Sequence, residues 1–529
     1  MKGKSSPLII GTRGSELALW QANFTKTVLE SNGYLVELKI IKTKGDATQQ
    51  WNLSFDKIEG KGFFTKELED ALLAGEIDLA VHSCKDLPTE FPEGLTIAAY
   101  SKRANPFDIL LIRKDSKDDT KVLKLRSLAK VGTSSARRKA QLLALRPDIE
   151  VMDLRGNVPT RVNKLKENQY DAIVLASAGL ERLNINLDEF EKVCLKAPMF
   201  IPAPAQGVLA FQIREMDMDM QQICLLLNDE ASALLTNIER TLLHDFEGGC
   251  QMPLGVYAER NNDNTLDVWV SQATSWNSIP KRLHKVIPVD DQNYSAAIVS
   301  GFKNNRSSSV FISSELREDD YLKRMLESHR YSVNNASFIA FIPIDFTLPA
   351  DANWLFFSSK NGVKFFFEKI SKDKLTNTKL AAINQGTAQA IFELGYSVDF
   401  IGSGSDLSQI AKDFDEIASG KIIFPQAKKS MQSVQKNLSK NTAVETLVIY
   451  QNEPEKITEE RKEDILVFTS PMSAEAYFSF FEKKANQAVV SIGKTTSKKL
   501  AELNVTGVIT AFEPTPWALV DEIFALMLQ

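Results

Sequence analysis

The run FEGGCQMPLG (246–255) puts Cys250 directly after two glycines and before Gln251. Glycines remove side-chain cover and admit backbone conformations closed to other residues, so such a turn can present its sulfur in the open. A thiol there has two chemical uses, as a nucleophile or as a covalent attachment point, besides the ordinary one of a small packed residue. A nucleophile wants a partner base. His244 is near in sequence, but nothing in the pattern holds it as that base, so attachment is the preferred functional role.

An acid stands in AVHSCKDLP (80–88), where an apolar run ends and His82, Ser83, Lys85 and Asp86 follow at the C-terminal mouth of a predicted strand. Ligands of α/β proteins bind at such mouths. A carboxylate at Asp86 could steady a developing cation or move a proton; its bland alternative is a cap before Pro88. Cys84 reads as packing, and His82 as a hydrogen-bonded core histidine.

Cations and hydroxyls recur beside glycine at strand-to-helix turns. They are Arg13 and Ser15 in GTRGS, Lys61 in EGKGFF, Thr133, Ser134, Ser135, Arg137 and Arg138 in VGTSSARR, Arg155 and Arg161 in LRGNVPTR, and Arg182 in AGLERL. Free backbone N–H groups and the helix dipole favour anions at these turns, and guanidinium adds planar, two-pronged recognition of carboxylates. One such motif means little. Five on two lobes imply a ligand with several carboxylates or phosphates lying between them.

The elements that must position these groups alternate. PLIIGT (7–12) reads as a strand, then Leu17, Trp20, Phe24 and Val28 recur at helical spacing, with Ser15 placed to cap and Gly33 to stop. YLVELKII (34–41) returns as a strand, and the same alternation continues through 183, the signature of a wound sheet. APMFIPAPAQGVLAFQIR (197–214) reads as a return crossing between lobes. The polar stretch KNNRSSS (303–309) marks a domain boundary, after which a faint internal repeat sets Ser359 opposite Ser470 and Thr387 opposite Thr496.

The bulk numbers fit several soluble domains in one chain. The 529 residues are 25% charged and 43% hydrophobic, with net charge −5, so no basic field draws in nucleic acid, and no stretch approaches a membrane span. The opening MKGKSSPLIIGTRGSELALW has too short an apolar run for a signal-peptide core, and the four cysteines are scattered without a C-x-x-C pair. The expectation is a reducing, cytoplasmic setting with no metal site.

Taken in order, GTRGSELALWQ, KGD (44–46), GKGFFTKELE, DLAVHSCKDLP, GTSSARR, LRGNVPTR, YDAIVLASAGLERL, PAPAQG and NIERTLLHDFEGGCQMPLGVYAE resemble the hydroxymethylbilane synthase (porphobilinogen deaminase) family over about residues 7–300. The resemblance implies that Cys250 anchors a dipyrromethane cofactor through a thioether. It also implies that porphobilinogen loses ammonia, and that four condensations give a chain released by water as hydroxymethylbilane. Asp86 would be the catalytic carboxylate. Arg13, Ser15, Lys85, Ser134, Ser135, Arg137 and Arg138 would hold the cofactor, and Lys61, Arg155, Arg161 and Arg182 the substrate, under a mobile flap near 47–62.

Residues 308–529 resemble uroporphyrinogen-III synthase, through WLFFSSKNGVKFF, AAINQGTAQAIFELGYSV, LVIYQN, ILVFTSPMSAEAYF and VVSIGKTTSKKLAELN. That family closes hydroxymethylbilane with inversion of its last ring. Ser359, Thr387, Ser470 and Thr496 are the candidate substrate contacts and Tyr450 the candidate acid, although each Ser or Thr could equally be a helix cap.

The architecture implied is α/β: two periplasmic-binding-protein-like lobes (1–101 with 199–218, and 102–198), a small α/β cofactor domain (219–304), and a two-lobed synthase-like domain (308–342 with 456–529, and 343–455). The expected protein is a monomer acting on porphobilinogen and hydroxymethylbilane, without nucleic acid or membrane. Two alternatives stay open: an active deaminase with a non-catalytic C-terminal domain, and an anion- or solute-binding protein.

Overall fold

A computed structural model describes residues 6–43, 65–246, 252–303, 307–375, 377–402, 406–439, 443–455 and 457–526. Five sheets organise them. In the first lobe the strand order is Val36–Ile40, Leu8–Thr12, Leu79–Ser83, Leu209–Arg214, Leu95–Tyr100. The near-continuous apolar runs LIIGT and LAVHS are parallel neighbours, as expected of strands covered on both faces. Ser15 caps the first helix, Glu16–Ser31, by accepting from the Ala18 amide.

The second lobe repeats the pattern, in the order Glu150–Met152, Lys130–Gly132, Ala172–Ala176, Asp108–Arg113, Phe190–Leu195. Each lobe has one strand antiparallel to both neighbours, Leu209–Arg214 in the first and Asp108–Arg113 in the second. These are the strands by which the chain arrives from the other lobe. The two crossings are zipped together by Ala104 N–H to Gly207 O at 3.1 Å, Ser101 N–H to Leu209 O at 3.0 Å and Arg103 Nε–H to Gln206 O at 3.0 Å. Gly207 sits at φ +93°, and a Cβ there would lie 2.6 Å from the Ala104 carbonyl oxygen. Only glycine lets the crossings approach this closely.

A three-stranded antiparallel sheet, Leu254–Arg260, Thr265–Gln272 and Lys281–Pro288, forms the third unit, and residues of the helices Glu230–Asp245 and Tyr294–Lys303 share its core. The helix Met218–Cys224 packs elsewhere: Met220, Ile223 and Cys224 are buried with Leu8, Leu29 and Leu209. The expected start of the third unit at 219 therefore falls inside the packing of the first lobe. Buried Glu239 ties the third unit to both crossings, accepting from Arg103 Nη1 at 2.7 Å and Nη2 at 3.1 Å, from the Ala205 amide at 2.6 Å and from the Ala258 amide at 2.9 Å.

The C-terminal half holds an all-parallel sheet, Ser332–Asn335, Ser309–Ile312, Ile465–Phe468, Ala488–Ser491, Val508–Thr510, and a second of six strands. Two strands carry the chain between them. Ala443–Pro454 pairs in parallel with Lys421–Ala427 near its start and antiparallel with Ile339–Pro343 near its end, with Pro343 opposite Tyr450. The internal repeat has a physical form. Ser359 and Ser470 each follow a fully buried strand and cap the next helix, while Thr387 and Thr496 occupy the third position of theirs and are 3% and 1% exposed.

Candidate active sites

In the N-terminal half, Asp86 closes a single helical turn, Cys84–Asp86, at the mouth of the buried strand Leu79–Ser83, and is exposed. Lys85 is half-buried and donates to Gln206 Oε1 at 3.2 Å. Gln206 in turn donates to Asp108 Oδ1 at 3.0 Å, so the hydrogen-bond path runs from the first lobe through the return crossing into the second. Burial lowers the Lys85 ammonium to about 8, against the pull of neighbouring Asp86.

Asp108 was not singled out from the sequence, yet it organises the second lobe's cations. It is fully buried, with Arg138 Nη2 at 2.6 Å and Arg137 Nη2 at 2.8 Å. Arg137 also donates to Ile201 O at 2.8 Å and Arg138 to Val174 O at 3.1 Å. These two arginines, expected to face a ligand, are thus 5% and 6% exposed and already engaged with protein acceptors. Burial alone would raise the Asp108 carboxyl, but the two guanidiniums outweigh it and hold the group well below the usual carboxylate range.

Arg161 is half-buried, and burial lowers it to about 10, with Arg138 and Arg155 pushing the same way and Asp86 opposing. Charges from the two lobes therefore act on one another here. Arg161 Nε donates to Gly156 O at 2.7 Å, and Arg182 donates to Gly207 O at 2.8 Å with its guanidinium 5.6 Å from the centre of the Trp20 ring. The hydroxyls do structural work. Ser15 and Ser135 cap helices, and Ser134 both donates to and accepts from the Leu154 backbone, at 2.9 and 3.0 Å. Arg13 lies close enough to His82 for its charge to act on that ring. His82 pairs with Gln212 at 3.0 Å and burial lowers it to about 4, while burial pushes the Cys84 thiol up to about 12; neither suits base or nucleophile. Lys61, Cys250 and the flap near 47–62 lie outside the described residues.

In the C-terminal half, Ser359 Oγ and Tyr450 Oη are 3.0 Å apart, and Ser359 also accepts from the Gly362 amide at 3.0 Å. Burial raises the Tyr450 hydroxyl, which keeps it protonated at neutral pH. Ser470 forms a capping box with Ser473. Asn384 caps the helix carrying Thr387 with its side chain, where Gly493 stands before Thr496. Thr496 Oγ1 is buried with no hydrogen-bond partner among the described residues.

Known proteins match both halves. Residues 8–222 match the family model "Porphobilinogen deaminase, dipyromethane cofactor binding domain", and 233–275 match "Porphobilinogen deaminase, C-terminal domain". A porphobilinogen deaminase of Nitratiruptor sp. is 52% identical over 262 residues, covering 48% of this chain and 80% of that protein. The chain belongs to the porphobilinogen deaminase family. A deaminase of Sulfurimonas denitrificans is 46% identical over 264 residues, covering 49% and 82%. Residues 320–521 match the family model "Uroporphyrinogen-III synthase HemD". A solved uroporphyrinogen-III synthetase from Helicobacter pylori is 23% identical, covers 41% of this chain and 99% of its own, and has a TM-score of 0.34; the assignment of this half rests on the family model. The protein joins a deaminase and a uroporphyrinogen-III synthase domain, a bifunctional protein of tetrapyrrole biosynthesis.

The deaminase cofactor is dipyrromethane. The residues present fit a ligand bearing several carboxylates. Lys85 and Arg161 set two cations beside the exposed Asp86, with Arg155 beside Arg161, and burial together with the neighbouring guanidiniums lowers Arg161, a setting that favours an anion. Among the described residues no helix is long and apolar enough to cross a membrane, and no cluster of His, Cys, Asp or Glu could hold a metal ion.

Proposed function

We propose that the N-terminal half condenses four porphobilinogen molecules to hydroxymethylbilane, and that the C-terminal half closes that product to uroporphyrinogen III with inversion of the last ring. The observation that carries the first step is the grouping of Asp86 with Lys85 and Arg161 across the two lobes. Cys250 would hold the dipyrromethane through its sulfur, and the bound group would supply the pyrrole carbon from which the chain starts.

Asp86 then stabilises positive charge on a pyrrole nitrogen as ammonia leaves, and takes up a proton there. Lys85, Arg13, Arg155, Arg161 and Arg182 bind acetate and propionate groups, and Lys61 is assigned to the same task. Arg137 and Arg138, bonded to Asp108, and Ser15, Ser134 and Ser135, bonded to backbone amides, act indirectly by holding that surface in shape.

In the second half, Ser359, Thr387, Ser470 and Thr496 mark the starts of four helices of eight or nine residues, where amide groups bind carboxylates. Tyr450, protonated and paired with Ser359, donates to the departing hydroxyl. The protein acts as a cytoplasmic monomer.

Two measurements test this. The intact mass should exceed the sequence mass by two pyrrole units, and Cys250→Ser should remove the excess. Supplied with porphobilinogen, the whole protein should yield uroporphyrinogen III. Formation of uroporphyrinogen I alone would leave the second half without a catalytic role.

A further inference from the structure

The strongest feature outside both sites is the seam between the two halves. The last helix of the synthase domain, Pro516–Ala525, lies on the strand Lys281–Pro288 of the deaminase's third unit. Arg282 and Asp521 meet there two-pronged, Nε to Oδ1 at 2.8 Å and Nη2 to Oδ2 at 3.0 Å, with side chains 2% and 1% exposed. The same guanidinium donates to Tyr321 Oη and Met199 O, both at 3.2 Å, and to Pro198 O. One arginine thus holds the third unit, the return crossing and the synthase domain together.

Its surroundings extend the contact. His284 lies between Asp267 and Glu522, at 2.5 and 2.9 Å, and Phe512 meets Trp269 edge-on at 5.2 Å. On the second lobe, Arg324 donates to Ala144 O at 2.8 Å, Ala144 is buried in one core with Val310 and Met325, and Tyr321 and Trp517 pack against the core of Leu142 and Leu145. The synthase domain therefore braces the second lobe against the third unit.

A buried ion pair is satisfied only while both partners are present, and parting them leaves a charge stranded on a half-apolar face. A flexible tether requires no such pair. We propose that the deaminase and synthase halves form a standing complex, held by the Arg282–Asp521 seam and not by the chain that links them. Such docking fixes the second site in one position relative to the first, which a flexible tether does not do. It does not rest on the catalytic roles given above.

The test uses the full chain with a specific protease site in place of residues 304–306, cut after purification and run on gel filtration at micromolar concentration and physiological salt. The cut protein should elute as one species of the uncut size. Two separate fragments would overturn the proposal. Asp521→Lys, cut in the same way, should weaken association roughly 100-fold or more; undiminished association would overturn the role of the seam. If circular dichroism shows that Asp521→Lys fails to fold, Asp521→Asn takes its place, with separation expected and unchanged affinity again overturning it.

Discussion

Asp108 and Arg138 face each other at 2.6 Å with neither side chain in water, and Arg137 reaches the other oxygen of the same carboxylate at 2.8 Å. This ranks the cleft's cations. Two are buried in the protein's own framework, while Lys85, Arg155 and Arg161 are partly open to solvent, and Asp86 acts on both Lys85 and Arg161.

Asp108→Asn keeps the shape and removes the charge, leaving two buried guanidiniums without their anion. The expected loss is roughly 3–5 kcal/mol of stability, read by urea denaturation. Because the carboxyl is depressed in the fold, its contribution is present above the ordinary value of 3.8 and is lost as pH falls below it. The variant should therefore show a flatter acid limb in a plot of stability against pH.

Lys85 should lose its charge as pH rises through about 8. If it binds a substrate carboxylate, KM for porphobilinogen rises above that pH. Lys85→Arg, which stays charged, should remove the rise. A KM profile flat from pH 7 to 9 in the wild type would argue that Lys85 does not touch substrate.

Asp86→Asn should lower the rate of ammonia release by roughly 10²–10⁴-fold, the range for losing a positioned acid–base group. The intact mass should keep its two extra pyrrole units. Loss of the mass excess instead would assign Asp86 to cofactor assembly.

Tyr450→Phe removes the hydroxyl that pairs with Ser359 while leaving the ring in its stack on Phe365. Cyclisation should slow by roughly 10²-fold, and the product should shift toward uroporphyrinogen I, with ammonia release unchanged. An isomer ratio equal to the wild type's would remove Tyr450 from the chemistry.

His284 offers a pH signature of the seam. Burial opposes its charge, but hydrogen bonds to Asp267 and Glu522 outweigh that and raise it from 6.5 to about 9. A raised histidine stabilises fully below its unfolded value, so the contribution, about 3 kcal/mol, should fade as pH climbs from 6.5 to 9. Thermal denaturation of His284→Gln should lack that decline.

Reading local features needs only neighbours along the chain. The capping serines, the strand running into Lys85 and Asp86, the glycine turns and the boundary near 304 all rest on period and residue type. Ligand-facing and framework roles are not local. Ser15 and Ser135 have the side chain of a ligand contact and the position of a cap, and the two uses look the same in a sequence. Asp108 lies 30 residues from Arg138, and Asp521 lies 239 from Arg282, so neither pairing has a periodic signature.

Chain order is enough to set out the chemistry available to this protein: a glycine-flanked thiol, one acid at a strand mouth, many cations at helix starts, and a second half built on a repeat. Residue type and near-neighbour spacing are enough for that, because they set backbone conformation and intrinsic reactivity. Packing settles which cations have a protein counter-ion, which hydroxyls are spent as caps, and that the two halves share a buried ion pair. Those outcomes depend on which charges lose their water together, and desolvation is a property of the packed molecule.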